Sequence, residues 1–161
     1  AVGADPLQAV AVAGPRYNGF NLLAGDAANA HWISNRGSGP ARLARGLHGL
    51  SNALLDTPWP KLERTSAQVR AWIARAETGT DALFIALADR TQAADAALPA
   101  TGVTLEWERL LSSPFIVSES YGTRCSTIVT IDRAGHARFH ERSVDARGEP
   151  VSDVVETFRV A

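Results

Sequence analysis

The stretch GLHGLSNALLDTPWPK, residues 46–61, places glycines, a Ser-Asn pair, leucines, two prolines and a tryptophan in one short segment. This mixture is too irregular for a regular core element and too apolar for an ordinary surface loop. We predict that residues 46–52 form a short, bent strand. Thr57 is predicted to cap the helix that follows, with Pro58 at its first position, where the N–H that proline lacks would have no helical partner.

Patterns typical of strands lie on both sides of a helical region. Helical spacing of apolar residues, with Thr80 and Thr104 as capping residues, predicts helices at about residues 7–13, 58–76, 81–89 and 105–111. Alternation of apolar residues between turn signals predicts strands at residues 17–24, 30–35, 126–132, 137–144 and 154–160. Because short turns join successive strands, we predict an α+β chain with antiparallel sheets.

The composition is that of a single globular domain over residues 1–161. Hydrophobic residues make up 45% of the chain and charged residues 20%, and no apolar run approaches the ~20 residues that a membrane span needs. The formal net charge of −1 provides no global attraction for nucleic acid, so we predict no nucleic-acid partner. Cys125 is the single cysteine, which rules out an internal disulfide and indicates a reducing, cytoplasmic compartment.

The pair Ser51 and Asn52 offers two kinds of carbonyl chemistry. Residues 49–53 read GLSNA, close to the Gly-x-Ser-x-Gly nucleophile elbow, but Pro58 and Pro60 prevent the long helix that the elbow requires. We therefore favour a buried, hydrogen-bonded structural role for Ser51 over a hydrolytic one. The Asn52 amide could direct its NH2 group at an oxyanion, but closing a turn by binding its own backbone is the favoured alternative.

Arg124 lies just before a predicted strand, among hydroxyl residues and a glycine. It could hold a carboxylate or phosphate through two parallel hydrogen bonds, or form a surface salt bridge, and the sequence favours neither. Successive strand residues point to opposite faces, so Arg124 is not expected to activate Cys125, for which we predict a structural role. We predict no metal site, because His136 and His140 lie in a turn and a strand rather than on one helical face.

Six segments of the chain, in the same order, resemble the transport and Golgi organisation protein 2 family, also called the NRDE family. They are YNGFNLL at residues 17–23, SNRG at 34–37, GLSNALLDTPWPK at 49–61, ALADRT at 86–91, YGTRCSTIVTID at 121–132 and FHERS at 139–143. The long and unusual third segment makes the resemblance specific. It implies an Ntn-hydrolase-like α/β/β/α sandwich, of which this chain would be the C-terminal part.

Two features of the family are absent from the sequence, namely a Cys directly after the initiator Met and an Asn-Arg-Asp-Glu motif. Ala1 offers no side-chain nucleophile, so this chain by itself is not expected to act as an N-terminal-nucleophile hydrolase. We expect the missing N-terminal segment of the family domain to be a partner of this chain, and we expect its sheets to lack some neighbouring strands. A homodimer is kept as a further partner hypothesis.

The resemblance implies a role in handling or trafficking a small-molecule ligand, related to haem or to lipids and acyl-CoA. The alternative that it implies is hydrolysis of an amide bond by the intact protein, with this chain inactive alone or serving only as a scaffold. We expect no resident cofactor, and haem enters only as a candidate ligand.

Site residues follow from a more distant resemblance, to choloylglycine-type hydrolases. By this analogy Asn52 would supply part of an oxyanion hole and Arg124 would orient the nucleophile, which requires the two side chains to meet in one cleft. We further expect ligand contacts from Asn21, Ser51 and Tyr121.

Overall fold

The computed structural model describes residues 6–26, 29–37 and 39–160. These residues form four α-helices and six strands, and the strands build two antiparallel three-stranded sheets. The predicted α+β class with antiparallel sheets is confirmed. The chain divides into two compact units, the first formed by residues up to Thr57 together with Val160 and the second by Pro58–Arg159. That one domain covers residues 1–161 stays a prediction.

The first unit contains one helix and one sheet. Helix α1 spans Pro6–Ala13, and strands β1, β2 and β3 span Asn21–Gly25, Ala30–Ser34 and Ala41–Arg42 in the sheet order β1-β2-β3. The predicted hairpin of the first two strands is confirmed, with Leu22 paired to Ile33. Ile33 and Trp32 are buried and contribute to the core of this unit.

Strand β1 begins at Asn21, later than the sequence predicts, because Asn35 binds the segment before it. The Asn35 carbonyl oxygen accepts a hydrogen bond from the Phe20 N–H at 2.9 Å. Its NH2 group lies within hydrogen-bond distance of three backbone carbonyl oxygens, those of Gly14, Tyr17 and Asn18. Residues 17–20 therefore surround Asn35 instead of extending the strand.

Residues 46–52 do not form the predicted strand. The backbone of Gly49 is bonded within the loop itself, because its N–H donates to Asp56 Oδ1 at 2.7 Å and its carbonyl accepts from the Asp56 N–H at 2.8 Å. Gly46 has a φ of +154°, which favours glycine. With both Gly49 groups already paired, this segment closes into a loop and has no free groups there for a neighbouring strand.

Helix α2 spans Pro60–Ala74, so Pro60 rather than Pro58 occupies the first helical position. Trp59 precedes it with extended dihedral angles, φ −74° and ψ 146°. The residue before a proline is sterically disfavoured in the α region, so Trp59 could not be the second residue of a helix that began at Pro58. The prediction of a Thr57 cap is therefore wrong, and the Thr57 hydroxyl donates instead to the Leu54 carbonyl at 2.8 Å.

Two shorter helices follow in the second unit, α3 at Asp81–Leu87 and α4 at Leu105–Leu111. The predicted Thr104 cap is confirmed, since its hydroxyl accepts from the Trp107 N–H at 3.4 Å. The predicted side-chain cap by Thr80 is wrong. Thr80 occupies the capping position, but its hydroxyl lies 3.4 Å from His140 Nδ1 and makes no capping bond.

The second sheet contains strands β4, β5 and β6, which span Cys125–Ile131, His136–Val144 and Pro150–Arg159 in that order. The three predicted strands are confirmed, although the last begins earlier than predicted. One face of the sheet packs against α3, where the Phe84 ring meets the His140 ring edge-on at 4.6 Å between centroids. Ile128, which pairs with His140, is buried on the same face.

The opposite face of this sheet carries exposed apolar side chains, together with the polar residues Thr127, Glu141 and Glu156. We call it the open sheet face, and its large apolar side chains are Val129, Ile131, Val154 and Phe158, each 44–53% exposed. The ten residues of β6 are all exposed, and within the described residues the edge strands β1, β3, β4 and β6 each pair with one neighbour only. Every open sheet has such edges, so the expectation that these sheets lack neighbouring strands stays a prediction.

None of the helices within residues 6–26, 29–37 and 39–160 is both long and apolar enough to cross a membrane. The cytoplasmic location stays a prediction.

Candidate functional site

The first unit contains an open cavity of about 1090 Å³, which we call the loop cavity. Its walls are the start of β1, the end of β2 and the loop that leads to Thr57. Three of the predicted site residues, Asn21, Ser51 and Asn52, line it together. Apolar side chains complete the wall, namely Phe20, Leu23, Leu50 and Leu54.

Asn21 joins the loop to the sheet. Its NH2 group donates to the Ala53 carbonyl at 3.0 Å, and its carbonyl oxygen accepts from the Trp32 indole N–H, also at 3.0 Å. Because Trp32 is buried in the core of this unit, Asn21 fixes the position of residue 53 relative to the sheet. Its predicted contact with a ligand stays a prediction, and the geometry gives it a positioning role.

Asp56 closes the loop. Besides its two bonds with Gly49, its Oδ2 lies 2.8 Å from His48 Nδ1, while His48 Nε2 lies 3.0 Å from the Ala44 carbonyl oxygen. The hydrogen bond to Asp56 raises the pKa of His48, and the same bond lowers the pKa of Asp56. The φ of Asp56 is +57°, a left-handed conformation that aspartate tolerates better than most residues.

Neither His48 nor Asp56 was predicted from the sequence to have a role in the site. The available signal was their position on either side of the Ser-Asn pair, within a glycine-containing segment whose turn needs an acceptor for backbone N–H groups.

The Ser51 and Asn52 side chains have no hydrogen-bond partner among the described residues. Asn52 is exposed and Ser51 half-buried. The favoured alternatives from the sequence, a turn-closing Asn52 and a hydrogen-bonded structural Ser51, are therefore not what the structure shows, because Asp56 performs the turn closure. Both side chains remain available to a ligand in the cavity.

Arg36 is a further polar residue of the loop cavity, and it was not among the predicted site residues. Its guanidinium lies across Gly19, where an added Cβ would come within 2.8 Å of Arg36 Nε. No carboxylate of the described residues forms an ion pair with it. Arg36 lies in the SNRG segment that resembles the family, but arginines are too common in loops for the sequence alone to identify this one as a site residue.

Arg124 and Tyr121 belong to the second unit. Arg124 is exposed, and its side chain has no partner in the described part of the chain, so the surface salt bridge considered from the sequence is not seen. Tyr121 packs edge-on against Trp107 at 5.7 Å, and both rings are partly exposed. That Arg124 meets Asn52 in one cleft, and that Tyr121 contacts a ligand, stay predictions.

Thr80, His140 and Asp153 form a hydroxyl–imidazole–carboxylate series in the second unit, but the burial of Thr80 and His140 argues against a nucleophilic Thr80 hydroxyl. His140 Nε2 lies 2.6 Å from Asp153 Oδ1, and Thr80 Oγ1 lies 3.4 Å from His140 Nδ1. Thr80 and His140 are each 6% exposed, so a substrate carbonyl could not reach the hydroxyl. Within the described ranges, no three His, Cys, Asp or Glu side chains are grouped to hold a metal ion.

Comparison with known proteins points to one family. A family model described as Transport and Golgi organisation 2 matches residues 4–146. The chain is 38% identical over 154 residues to the Transport and Golgi organization protein 2 homolog of Bos taurus, and 35% identical over 152 residues to that of Homo sapiens. The Transport and Golgi organization 2 homolog of Mus musculus is 32% identical over 152 residues. Each comparison covers 86% of this chain and 55% of the relative, so the chain spans about half the length of the curated relatives it matches.

Proposed function

The chain belongs to the Transport and Golgi organisation 2 family, and we propose that its loop cavity binds a small molecule with an anionic group, a carbonyl group and an apolar body. One observation supports this most directly. Three polar side chains, Arg36, Ser51 and Asn52, line a single open cavity without partners in the described part of the chain. Binding sites commonly combine apolar walls with a few such convergent polar groups.

Of the ligands that the family resemblance implies, an acyl-CoA fits this lining better than haem. Its phosphates can accept from the Arg36 guanidinium, and its thioester carbonyl can accept from the Asn52 NH2 group or the Ser51 hydroxyl. The leucine and phenylalanine side chains of the wall can contact the acyl chain. The trafficking role that the family resemblance implies would then begin with capture of this ligand.

Haem fits the same lining less well. Arg36 could pair with a propionate, but the described residues that line the cavity include no His, Cys, Met or Tyr that could ligate the iron. A haem titration of this chain that gives no Soret shift would count against haem.

Titration calorimetry of this chain with octanoyl-CoA and with free CoA tests the proposal. We expect octanoyl-CoA to bind more tightly than CoA, and Arg36→Gln to weaken binding about tenfold or more because a charge-assisted bond is lost. Asn52→Ala should weaken octanoyl-CoA more than CoA. Arg45→Gln is the matched control, since Arg45 is exposed and does not line the cavity. No binding, or equal losses from both arginine variants, would overturn the assignment.

Amide hydrolysis by the full-length protein is the second candidate, favoured by the free Asn52 amide. An oxyanion hole requires an uncommitted donor beside the reacting carbonyl, and Asn52 is exposed in the cavity without a partner among the described residues. The nucleophile would be the Cys that the family resemblance implies, oriented by Arg124. If full-length protein with that Cys replaced keeps its physiological activity, hydrolysis is excluded.

We also propose that a second sheet covers the open sheet face in the full-length protein, as in the Ntn-hydrolase-like sandwich. An exposed face with four large apolar side chains is costly in water and typical of a packing surface. Cys125 lies on this face and is exposed, so the reactivity of its thiol indicates whether another sheet covers the face. We expect Cys125 to react with a maleimide in this chain and to be protected in the full-length protein. A doubled mass of this chain in light scattering would favour a homodimer through the same face.

A further inference from the structure

A second cavity, of about 310 Å³, lies wholly within the second unit. We propose that it binds a small organic carboxylate with a compact apolar body. We call it the arginine cavity because Arg90 and Arg142 both line it. The inference is independent of the ligand of the loop cavity.

The walls of the arginine cavity are fixed by backbone contacts. The Phe115 N–H donates to the Asp89 carbonyl at 2.9 Å, which holds the segment after α3 beside Phe115. The turn between β5 and β6 closes the other side through Gly148, whose φ is +78°. A Cβ there would lie 2.7 Å from a terminal nitrogen of Arg90 and 3.0 Å from the Phe115 ring, so glycine permits this close approach.

The two arginines differ in how their charge is used. Arg142 stacks over Phe84 at 4.0 Å and binds Asp81 at 2.8 Å and Asp153 at 3.0 Å, so its charge is neutralised within the protein. Arg90 lies 5.2 Å from the centre of the Phe115 ring, and its one hydrogen bond is a long one, 3.3 Å, to the Gly148 carbonyl. No carboxylate within the described ranges pairs with Arg90.

The remaining donors of Arg90 determine the class of ligand. A guanidinium has five N–H donors in a planar fork that matches a carboxylate, and only one of them is used here. The Ser126 hydroxyl also lines the cavity and has no partner among the described residues. A carboxylate can accept from Arg90, while its apolar body contacts Phe84, Phe115 and Pro150.

The size of the cavity limits the ligand. Its volume is near the lower end of the roughly 300–1,000 Å³ range of small-molecule sites. The occupant is therefore a compact molecule, such as an arylalkanoate or a short branched acid. Inorganic phosphate has no apolar body and would make no contact of this kind with Phe84, Phe115 and Pro150.

Titration of the isotope-labelled chain with 3-phenylpropanoate, followed by ¹H–¹⁵N NMR, tests this inference. We expect saturable shifts at residues of the cavity and a dissociation constant at least tenfold lower than for 3-phenylpropanamide, because the amide cannot form the charge-assisted pair. Inorganic phosphate should give no saturable shifts there. Equal affinities for the acid and the amide, or saturable binding of phosphate at the same residues, would overturn the proposal.

Variants locate the binding to Arg90. Arg90→Gln should weaken 3-phenylpropanoate about tenfold or more, whereas Arg147→Gln, the same charge change in the adjacent turn outside the cavity, should have little effect. Ala88→Trp, which fills the cavity, should abolish the shifts while the spectrum stays dispersed. If Arg90→Gln and Arg147→Gln weaken binding equally, the effect comes from the net charge of the protein and the site is refuted. Asn52→Ala should leave the binding of 3-phenylpropanoate unchanged, because Asn52 lines the loop cavity and not the arginine cavity. The test of the arginine cavity is therefore separate from the test of the loop cavity.

Discussion

The loop that ends at Thr57 and the β4–β5 hairpin are held together by different kinds of hydrogen bond. In the hairpin, seven residues of Cys125–Ile131 pair with partners on β5 through backbone groups. In the loop, the side chains of Asn21 and Asp56 make bonds that fix its course, beside the backbone bond from the Asp56 N–H to the Gly49 carbonyl. The hairpin therefore depends on backbone pairing and burial, whereas single side chains determine the shape of the loop and hence of its cavity.

The largest expected effect concerns burial in the hairpin. Ile128→Ala should lower the free energy of unfolding by about 2–4 kcal/mol, because Ile128 is buried on the face that packs against α3. Urea unfolding followed by circular dichroism measures it. Val129→Ala, one residue along the strand and on the open sheet face, is the control and should cost less than about 1 kcal/mol. Equal losses would mean that the two faces are not distinguished by burial.

The next effect concerns the attachment of the loop to the sheet. Asn21→Ala should lower the free energy of unfolding by about 1–3 kcal/mol, because it removes the bond to Ala53 and leaves the buried Trp32 indole N–H without its acceptor. The same urea experiment applies. Asn18→Ala, which removes an exposed amide side chain, should change stability little, and a comparable loss there would contradict the anchoring role of Asn21.

A smaller effect is pH-dependent. The pKa of His48 is raised from 6.5, so its stabilising contribution is complete below about pH 6.5 and is lost as the pH rises through the raised value. The pKa of Asp56 is lowered from 3.8, so its contribution is present above that pH and is lost as the pH falls through the lowered value. Exchange of the Gly49 amide, corrected for intrinsic rate, should therefore be slowest between about pH 4 and 6.5. In His48→Asn, the faster exchange of the Gly49 amide above about pH 6.5 should disappear. If it persists, a group other than His48 causes the pH dependence.

The smallest expected effect is the change in the free energy of unfolding when Asn52, the candidate ligand contact, is replaced. Asn52→Ala should change the free energy of unfolding by less than about 0.5 kcal/mol, because the side chain is exposed and has no partner among the described residues. A loss above about 1 kcal/mol in urea unfolding would restore the turn-closing role that the sequence favoured. The contrast with Asn21 thus separates a positioning amide from a ligand-binding one.

Prediction from sequence was most accurate where neighbouring residues decide the structure. The β4–β5 hairpin follows from alternation over residues 126–144 and a short turn, and the Thr104 cap follows from one hydroxyl before a helical pattern. The helix start was misplaced at Pro58, although the steric effect of Pro60 on Trp59 is a local signal that could have corrected it. The resemblance identified the family correctly, and Ser51 and Asn52 do line one cavity.

The attachment of the loop to the sheet could not be predicted in this way, because the bond between Asn21 and Ala53 connects residues that are distant in sequence. Nothing around Asn21 indicates that its amide will bind the carbonyl of Ala53, and nothing around Arg36 indicates that it will share a cavity with Asn52. The sequence likewise does not indicate that Arg142 is paired with two carboxylates in space while Arg90 is paired with none among the described residues.

The sequence by itself determined the α+β class and the order of the four helices and of five of the six strands, because periodicity, capping and turn formation act over a few residues. The family was determined separately, by the six segments that resemble it. The tertiary structure decided the course of residues 46–57, since that segment has no repeating pattern of its own and is shaped by side-chain bonds to β1 and within the loop. What began as an irregular stretch with a predicted strand is instead a closed loop. Asp56 fixes it, and it leaves Ser51 and Asn52 free for a ligand.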